Sequence, residues 1–190
     1  MHNKSGIKKK KEDLILDREA PILREKAAHV ELAQITSKKV KDIITKMKKA
    51  LHQEEDGVAL AAPQIGVSLK IFIVKGSVLD LAEEKKSGIS KTSQKDLVFV
   101  NPEIVKVSKN KRAVEEGCLS IRWLYGEVPR HEKVSITAYD DRGEFATYGA
   151  TGLLAQIFQH EIDHLDGILF TDKAENIRDL PPDENVSSKD

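Results

Sequence analysis

The residue types best suited to chemistry lie late in the chain. His160-Glu161-Ile162-Asp163-His164 follows the pattern H-E-x-x-H. On a helix, a spacing of four places both imidazoles one turn apart on one face, within reach of a single cation. Glu161 projects about 100° away from His160, toward the open side of that cation, where a carboxylate can take a proton from water. A chain of this composition produces the pattern by chance in roughly one or two cases per hundred, and two hydrogen-bonded buried histidines would give the same string. Histidine nevertheless tolerates a mostly apolar helix poorly unless its ring nitrogens are satisfied.

A catalytic metal of this kind needs a third protein ligand and one position open to water. The single cysteine, Cys118, is the natural candidate. It sits in Glu115-Glu116-Gly117-Cys118-Leu119-Ser120, where glycine lets the backbone approach another group and leaves the thiolate presentable to a cation. Taken alone, a lone cysteine reads as readily as a small buried hydrophobe. A third segment, Gly57-Val58-Ala59-Leu60-Ala61-Ala62-Pro63-Gln64, consists of small residues closed by a proline and an amide able to donate a hydrogen bond. By itself it is an ordinary turn or strand edge.

These groups require elements that hold them. Over 152–167 the pattern is helical with a narrow polar strip of Gln156, Gln159 and Asp163, so this helix should lie buried against sheet. Val40, Ile43, Ile44, Met47 and Leu51 recur at helical spacing after Thr36 and Ser37, either of which suits an N-cap. The β-rich runs 71–74, 97–100 and 134–139, and the turn Asp140-Asp141-Arg142-Gly143 leading into 145–148, carry an antiparallel signature. The fold class that follows is α+β, with antiparallel sheets packed around the late H-E-x-x-H helix and a further helix on the N-terminal side. Residues 76–96 read as an exposed excursion with a helical turn near 79–84. No internal repeat is present.

Length and charge narrow the function classes. A chain of 190 residues supports one core, expected as a catalytic domain over 13–172, between a basic tail at 1–12 and a polar tail at 173–190. Lys plus Arg and Asp plus Glu both number 31, so no global field recruits nucleic acid or an anionic membrane. One cysteine excludes an internal disulfide and favours a reducing, cytoplasmic setting. The basic run Lys8 to Lys11 is followed by an apolar stretch broken at Asp17, Arg18 and Glu19, which does not make a signal peptide, and no apolar segment approaches the ~20 residues of a membrane helix.

Taken together, the three segments resemble the signature motifs of the peptide deformylase family in order and spacing. The first resembles G-x-G-x-A-A-x-Q, the second is E-G-C-L-S at 116–120, and the third is Q-H-E-x-D-H-L-x-G at 159–167. The likeness continues through Pro21-Ile22-Leu23-Arg24, Asn101-Pro102, Val128-Pro129-Arg130 and Gly152-Leu153-Leu154-Ala155. Two departures stand out. Ala59 occupies the place of the family's second glycine, where alanine would be strained if φ were positive. Arg122-Trp123-Leu124-Tyr125 replaces a loop in which many members have proline.

The resemblance implies hydrolysis of the formyl group on the N-terminal methionine of new polypeptides. Cys118, His160 and His164 would hold one divalent metal, leaving a position for water whose pKa falls to near 7. Glu161 would be general base and then acid. The side-chain amide of Gln64 and the backbone N–H of Leu119 would bind the oxyanion. Gly57 and Ala59 would border the substrate chain, Val58, Val114, Leu153 and Ile157 would line the methionine pocket, and Glu116 and Arg130 would lie near the substrate backbone. Ligand softness suits zinc or iron, while the family likeness implies Fe(II) natively, with zinc, nickel or cobalt as substitutes. The implied partners are N-formyl-methionyl nascent peptides, with transient ribosome contact left open. Two rivals share parts of the pattern: a zinc endopeptidase, against which the cysteine ligand and the absent downstream histidine argue, and a metal-binding module without turnover.

Overall fold

The computed structural model describes residues 14–78 and 95–181. The basic tail at 1–12, the turn expected over 79–84 and residues 182–190 of the polar C-terminal segment lie outside the described residues. Helix α1 (Lys38–Gln53) starts at Ser37, whose hydroxyl accepts a hydrogen bond from the amide of Val40. That bond satisfies one of the orphan donors of the first turn. Strands β1 (Ala59–Ala61) and β2 (Ile71–Val74) follow, then β3 (Leu97–Val107), β4 (Lys111–Cys118), β5 (Ile121–His131), β6 (Lys133–Tyr139) and β7 (Phe145–Thr151). Helix α2 (Gly152–Leu165) carries the H-E-x-x-H pattern, and β8 (Glu175–Asp179) closes the described chain. All strand pairings are antiparallel, in a five-stranded sheet ordered β1-β2-β3-β6-β7 and a three-stranded sheet ordered β4-β5-β8. The α+β expectation is met.

The large sheet is covered on both faces, which explains why β2 is an unbroken apolar run rather than an alternating one. Phe72 and Val74 pack toward α2 with Phe99, Ile136, Leu154, Ala155 and Phe158. Ile71 and Ile73 point the other way, with Val98 and Val100, onto the Val40, Ile44, Met47 and Leu51 stripe of α1. Period-two alternation along strands thus feeds two cores at once. Phe72 stacks on Phe99 at 4.6 Å between centroids, and Phe158 of α2 meets Phe99 edge-on at 5.1 Å. Such burial stabilises by roughly 1.5–3 kcal/mol per large apolar side chain, so the late helix is anchored firmly to the sheet.

Two features differ from the sequence expectations. Residues Glu175–Asp179, within the expected polar C-terminal segment, form β8, which pairs with β5 through Leu124↔Asp179 and Tyr125↔Arg178. Every β8 side chain is exposed, so hydropathy carries no trace of it. The β4–β5 ladder was likewise absent from the strand expectations, because β4 is largely solvent-facing and rich in charge.

The C-terminus of α2 is set by Gly167. Its φ of 74° is left-handed, its amide donates to the carbonyl of His164, and the next amide, of Ile168, donates to Asp163. This is the paired pattern of a Schellman cap. A β-carbon at 167 would also lie 2.7 Å from the Arg24 carbonyl oxygen of the segment that wraps this helix end. Gly167→Ala should therefore cost more than ~1 kcal/mol and lower the melting temperature by at least about 2–4 °C. A thermal melt equal to that of the parent protein would refute this account of the cap.

Candidate active site

Three elements converge on one cleft. The end of β4 delivers Cys118, the C-terminal half of α2 delivers His160, Glu161 and His164, and the short helical turn Ala62–Ile65 after β1 delivers Gln64. The Sγ atom of Cys118 lies 3.2 Å from Nε2 of His164, and candidate ligand atoms of Cys118, His160 and His164 all fall within 4.8 Å of one another. That is a cation-sized gathering of one soft and two borderline donors. Burial alone would push the Cys118 thiol up, but the two imidazoles beside it bring it down to about 5, the thiolate form a metal requires. The residues present fit a divalent ion.

Glu161 lies at the same place with different chemistry. It is buried, its Oε2 has no hydrogen-bond partner, and burial raises its carboxyl to about 7. A buried carboxyl oxygen left without a partner is costly unless it is used. Gln64 is oriented at both ends of its amide: Oε1 accepts from the amide of Ala61 at 2.9 Å, and Nε2 donates to Ser120 Oγ at 3.2 Å and points to Cys118 Sγ at 3.5 Å. The donor end therefore faces the ligand cluster.

Behind the histidines sits a buried charged network. The Nδ1–H of His160 donates to Oε2 of Glu116 at 2.9 Å, which leaves Nε2 to face the cleft. Glu116 also accepts two bonds from Arg130, from Nε at 2.7 Å and Nη2 at 2.9 Å, while Nη1 of Arg130 donates to Asp163 at 2.6 Å. Burial raises the Glu116 carboxyl, but Arg130 and His160 outweigh it and hold the group down to about 2. Arg130 does not line the cleft; it lies behind it, clamping β4 to α2. The side chain expected near the substrate backbone is only 4% exposed, and its donors are engaged by two carboxylates.

The cleft, of about 300 Å³, is lined by Gly57, Val58 and Ala59 on one side, Leu119 and Ile121 to Tyr125 on the other, with Leu153, Ile157 and His160 also on its wall. Glu116 lines it as well, although its carboxylate is engaged behind. Val114 does not: it pairs with Val128 within the β4–β5 ladder. Ala59 sits in β1 without positive φ, so the β-carbon there adds no backbone strain. Gly117 has a packing reason, since a β-carbon would lie 2.8 Å from the Tyr125 ring. Sequence reasoning gave no role to Ser120, Trp123 or Tyr125, although Ser120 was in view as part of the cysteine motif and the other two as a departure from the family pattern; the role of Ser120 in holding Gln64 depends on a contact 56 residues apart in the chain.

A buried H-E-x-x-H helix facing a cysteine thiolate on an α+β scaffold defines a metal-dependent hydrolase. The comparisons with known proteins carry this further. A model of the polypeptide deformylase family matches residues 13–179. The peptide deformylase of Symbiobacterium thermophilum is 40% identical over 169 residues, covering 89% of this chain and 70% of its own. Peptide deformylase 1A, chloroplastic/mitochondrial, of Arabidopsis thaliana is 39% identical over 173 residues, covering 88% of this chain and 64% of its own. The crystal structure of a peptide deformylase from Legionella pneumophila superposes with a TM-score of 0.70 at 36% identity, covering 85% of each chain. This chain belongs to the polypeptide deformylase family, metal-dependent hydrolases that remove the N-formyl group.

Two outcomes test the site. Cys118 should resist alkylation in metal-loaded protein and react after chelation, as read by mass spectrometry; equal labelling in both states would remove it from the ligand set. Arg130→Met strands the buried Glu116 charge and should cost about 3–5 kcal/mol, seen as a lower denaturant midpoint. An unchanged midpoint would show that the clamp contributes nothing.

Proposed function

We propose that this chain removes the formyl group from N-formyl-methionyl nascent peptides with Cys118, His160 and His164 holding one divalent ion. The observation that carries the proposal is the gathering of these three donors within 4.8 Å beside the unpartnered Oε2 of buried Glu161. The ion, once bound, supplies Lewis acidity that brings a water molecule toward ionisation near neutral pH. Glu161 accepts the proton of that water at its carboxylate and delivers it to the departing amine as the formyl C–N bond breaks, yielding formate and a free N-terminus. The Nε2 of Gln64 and the N–H of Leu119 hold the oxygen that gains charge when the formyl carbon becomes tetrahedral. Glu116 keeps the His160 ring turned toward the ion through its bond to Nδ1.

Val58, Leu153 and Ile157 supply apolar wall to the cleft and form the pocket for the methionine side chain, with Gly57 and Ala59 alongside the substrate backbone. Ferrous iron is the native metal in this reading, with zinc, nickel or cobalt able to replace it. The cytoplasm is its proposed location and the ribosome a transient contact. Among the described residues no helix is long and apolar enough to cross a membrane.

The deciding experiment is formate release from a formyl-Met-Ala-Ser peptide by protein reconstituted anaerobically with Fe(II), set beside an N-acetyl peptide of the same sequence. Release from the formyl peptide alone is expected; cleavage of internal bonds instead would favour an endopeptidase. Glu161→Gln should retain metal and lose at least ~10²-fold in turnover, because a positioned acid–base group contributes that much. Near-normal turnover by the metal-loaded variant would rule out this role.

A further inference from the structure

The outer wall of the cleft is built unusually. In the β4–β5 ladder Gly117 pairs with Tyr125, and the next pair is Cys118 with Ile121. Arg122, Trp123 and Leu124 therefore have no partner on β4 and bulge from the ladder beside the metal-ligand cysteine. Trp123 adopts φ 61°, a left-handed conformation rare for a bulky side chain. Three ties hold it there. Its carbonyl accepts from the amide of Leu180 at 2.8 Å, so the chain end following β8 fastens the bulge. The guanidinium of Arg122 lies 5.7 Å from the indole centroid. The same guanidinium donates to Glu54 at 2.6 Å, which joins this lip to the one leading into Gly57 and Val58. The indole is half-buried and lines the same cleft as Cys118, His160 and Glu161.

A strained conformation persists where surrounding structure over-determines it, and strained residues gather at ligand clamps. Here the clamp has an evident customer. With the formyl group at the ligand cluster and the methionine side chain against Val58, Leu153 and Ile157, the peptide leaves by the lip. We propose that Trp123 is a specificity-determining residue whose indole packs on the side chain of the second substrate residue, favouring large apolar or aromatic groups there. The proposal rests on the deformylase reading given above. Arg122 and Glu54 position the ring and neutralise each other, so the platform offers an apolar face without net charge.

The test uses the metal-loaded protein and formyl-Met-Leu, formyl-Met-Phe and formyl-Met-Gly tripeptides ending in Ser. Discrimination by one side chain in an apolar contact is worth about tenfold, so kcat/KM for Leu and Phe should exceed that for Gly by about that factor. In Trp123→Gly, which keeps φ 61° without strain, this ratio should collapse toward one, with the change carried by KM. Trp123→Phe should restore most of it. A second readout needs no turnover. Trp123 is the only tryptophan in the chain, so intrinsic emission reports this ring alone. Titration with the deformylated peptide Met-Leu-Ser should shift the emission, and Met-Gly-Ser should shift it far less. A ratio that survives in Trp123→Gly, or an emission insensitive to Met-Leu-Ser at saturation, overturns the proposal. Failure of every formyl peptide to release formate would instead defeat the deformylase reading, with the emission titration still deciding whether the ring contacts the peptide.

Discussion

The site depends on one buried guanidinium. Arg130 joins β5 to β4 through Glu116 and to α2 through Asp163, and the carboxylate it holds is the one that orients His160. Removing this many charges from water is expensive, and their attraction offsets that cost because the Glu116 pairing is bidentate and every carboxylate oxygen of Glu116 and Asp163 has a partner. The return is positional. The small sheet that carries Cys118 and the helix that carries both histidines are different layers, and the clamp ties them together where their donor atoms gather within 4.8 Å. Lys173 adds a surface contact to Asp163 at 2.7 Å, extending the network to the chain that leads into β8.

The division of labour among the layers follows from hydropathy. The large sheet buries both faces, one under α1 and one under α2, and is the rigid floor. The small sheet, mostly wet on β4 and bare on β8, has little core of its own beyond Val128, Ile121 and the residues around Phe170. Elements with fewer apolar contacts adjust more readily, and here they form the substrate-facing lip. The lip is then restrained by polar ties, Arg122 to Glu54 and Arg178 to Glu115, rather than by packing. The ligand cluster lies where the two meet, with both histidines on the helix packed against the rigid floor and Cys118 at the end of β4.

The two departures from the family pattern have opposite physical meanings. Ala59 lies in ordinary strand geometry, so its methyl group asks nothing unusual of the backbone. Trp123 does ask something, since a large side chain is held in a left-handed conformation at the cleft. A sequence motif ranks both simply as mismatches; dihedral angles distinguish a neutral variation from a strained one.

Local pattern was enough to determine the helices and the chemistry they carry. The period of α1 from Val40 to Leu51, the narrow polar strip of α2 and the one-turn spacing of His160 and His164 are consequences of 3.6 residues per turn, so they are written into adjacent residues. The candidate ligand set and Glu161 were legible for the same reason, once the lone cysteine was joined to them by family likeness. What the sequence did not determine depends on residues far apart in the chain. That Arg130 faces Glu116 and Asp163 instead of the cleft, that Ser120 holds Gln64, and that an exposed polar segment after residue 173 completes a sheet are matters of registry between strands. Strand registry is set by which surfaces are buried when the layers meet, and a one-residue slip would exchange the faces of β4 and β5. Only the assembled tertiary structure makes that choice, because only there do the competing burials of charge and apolar surface coexist.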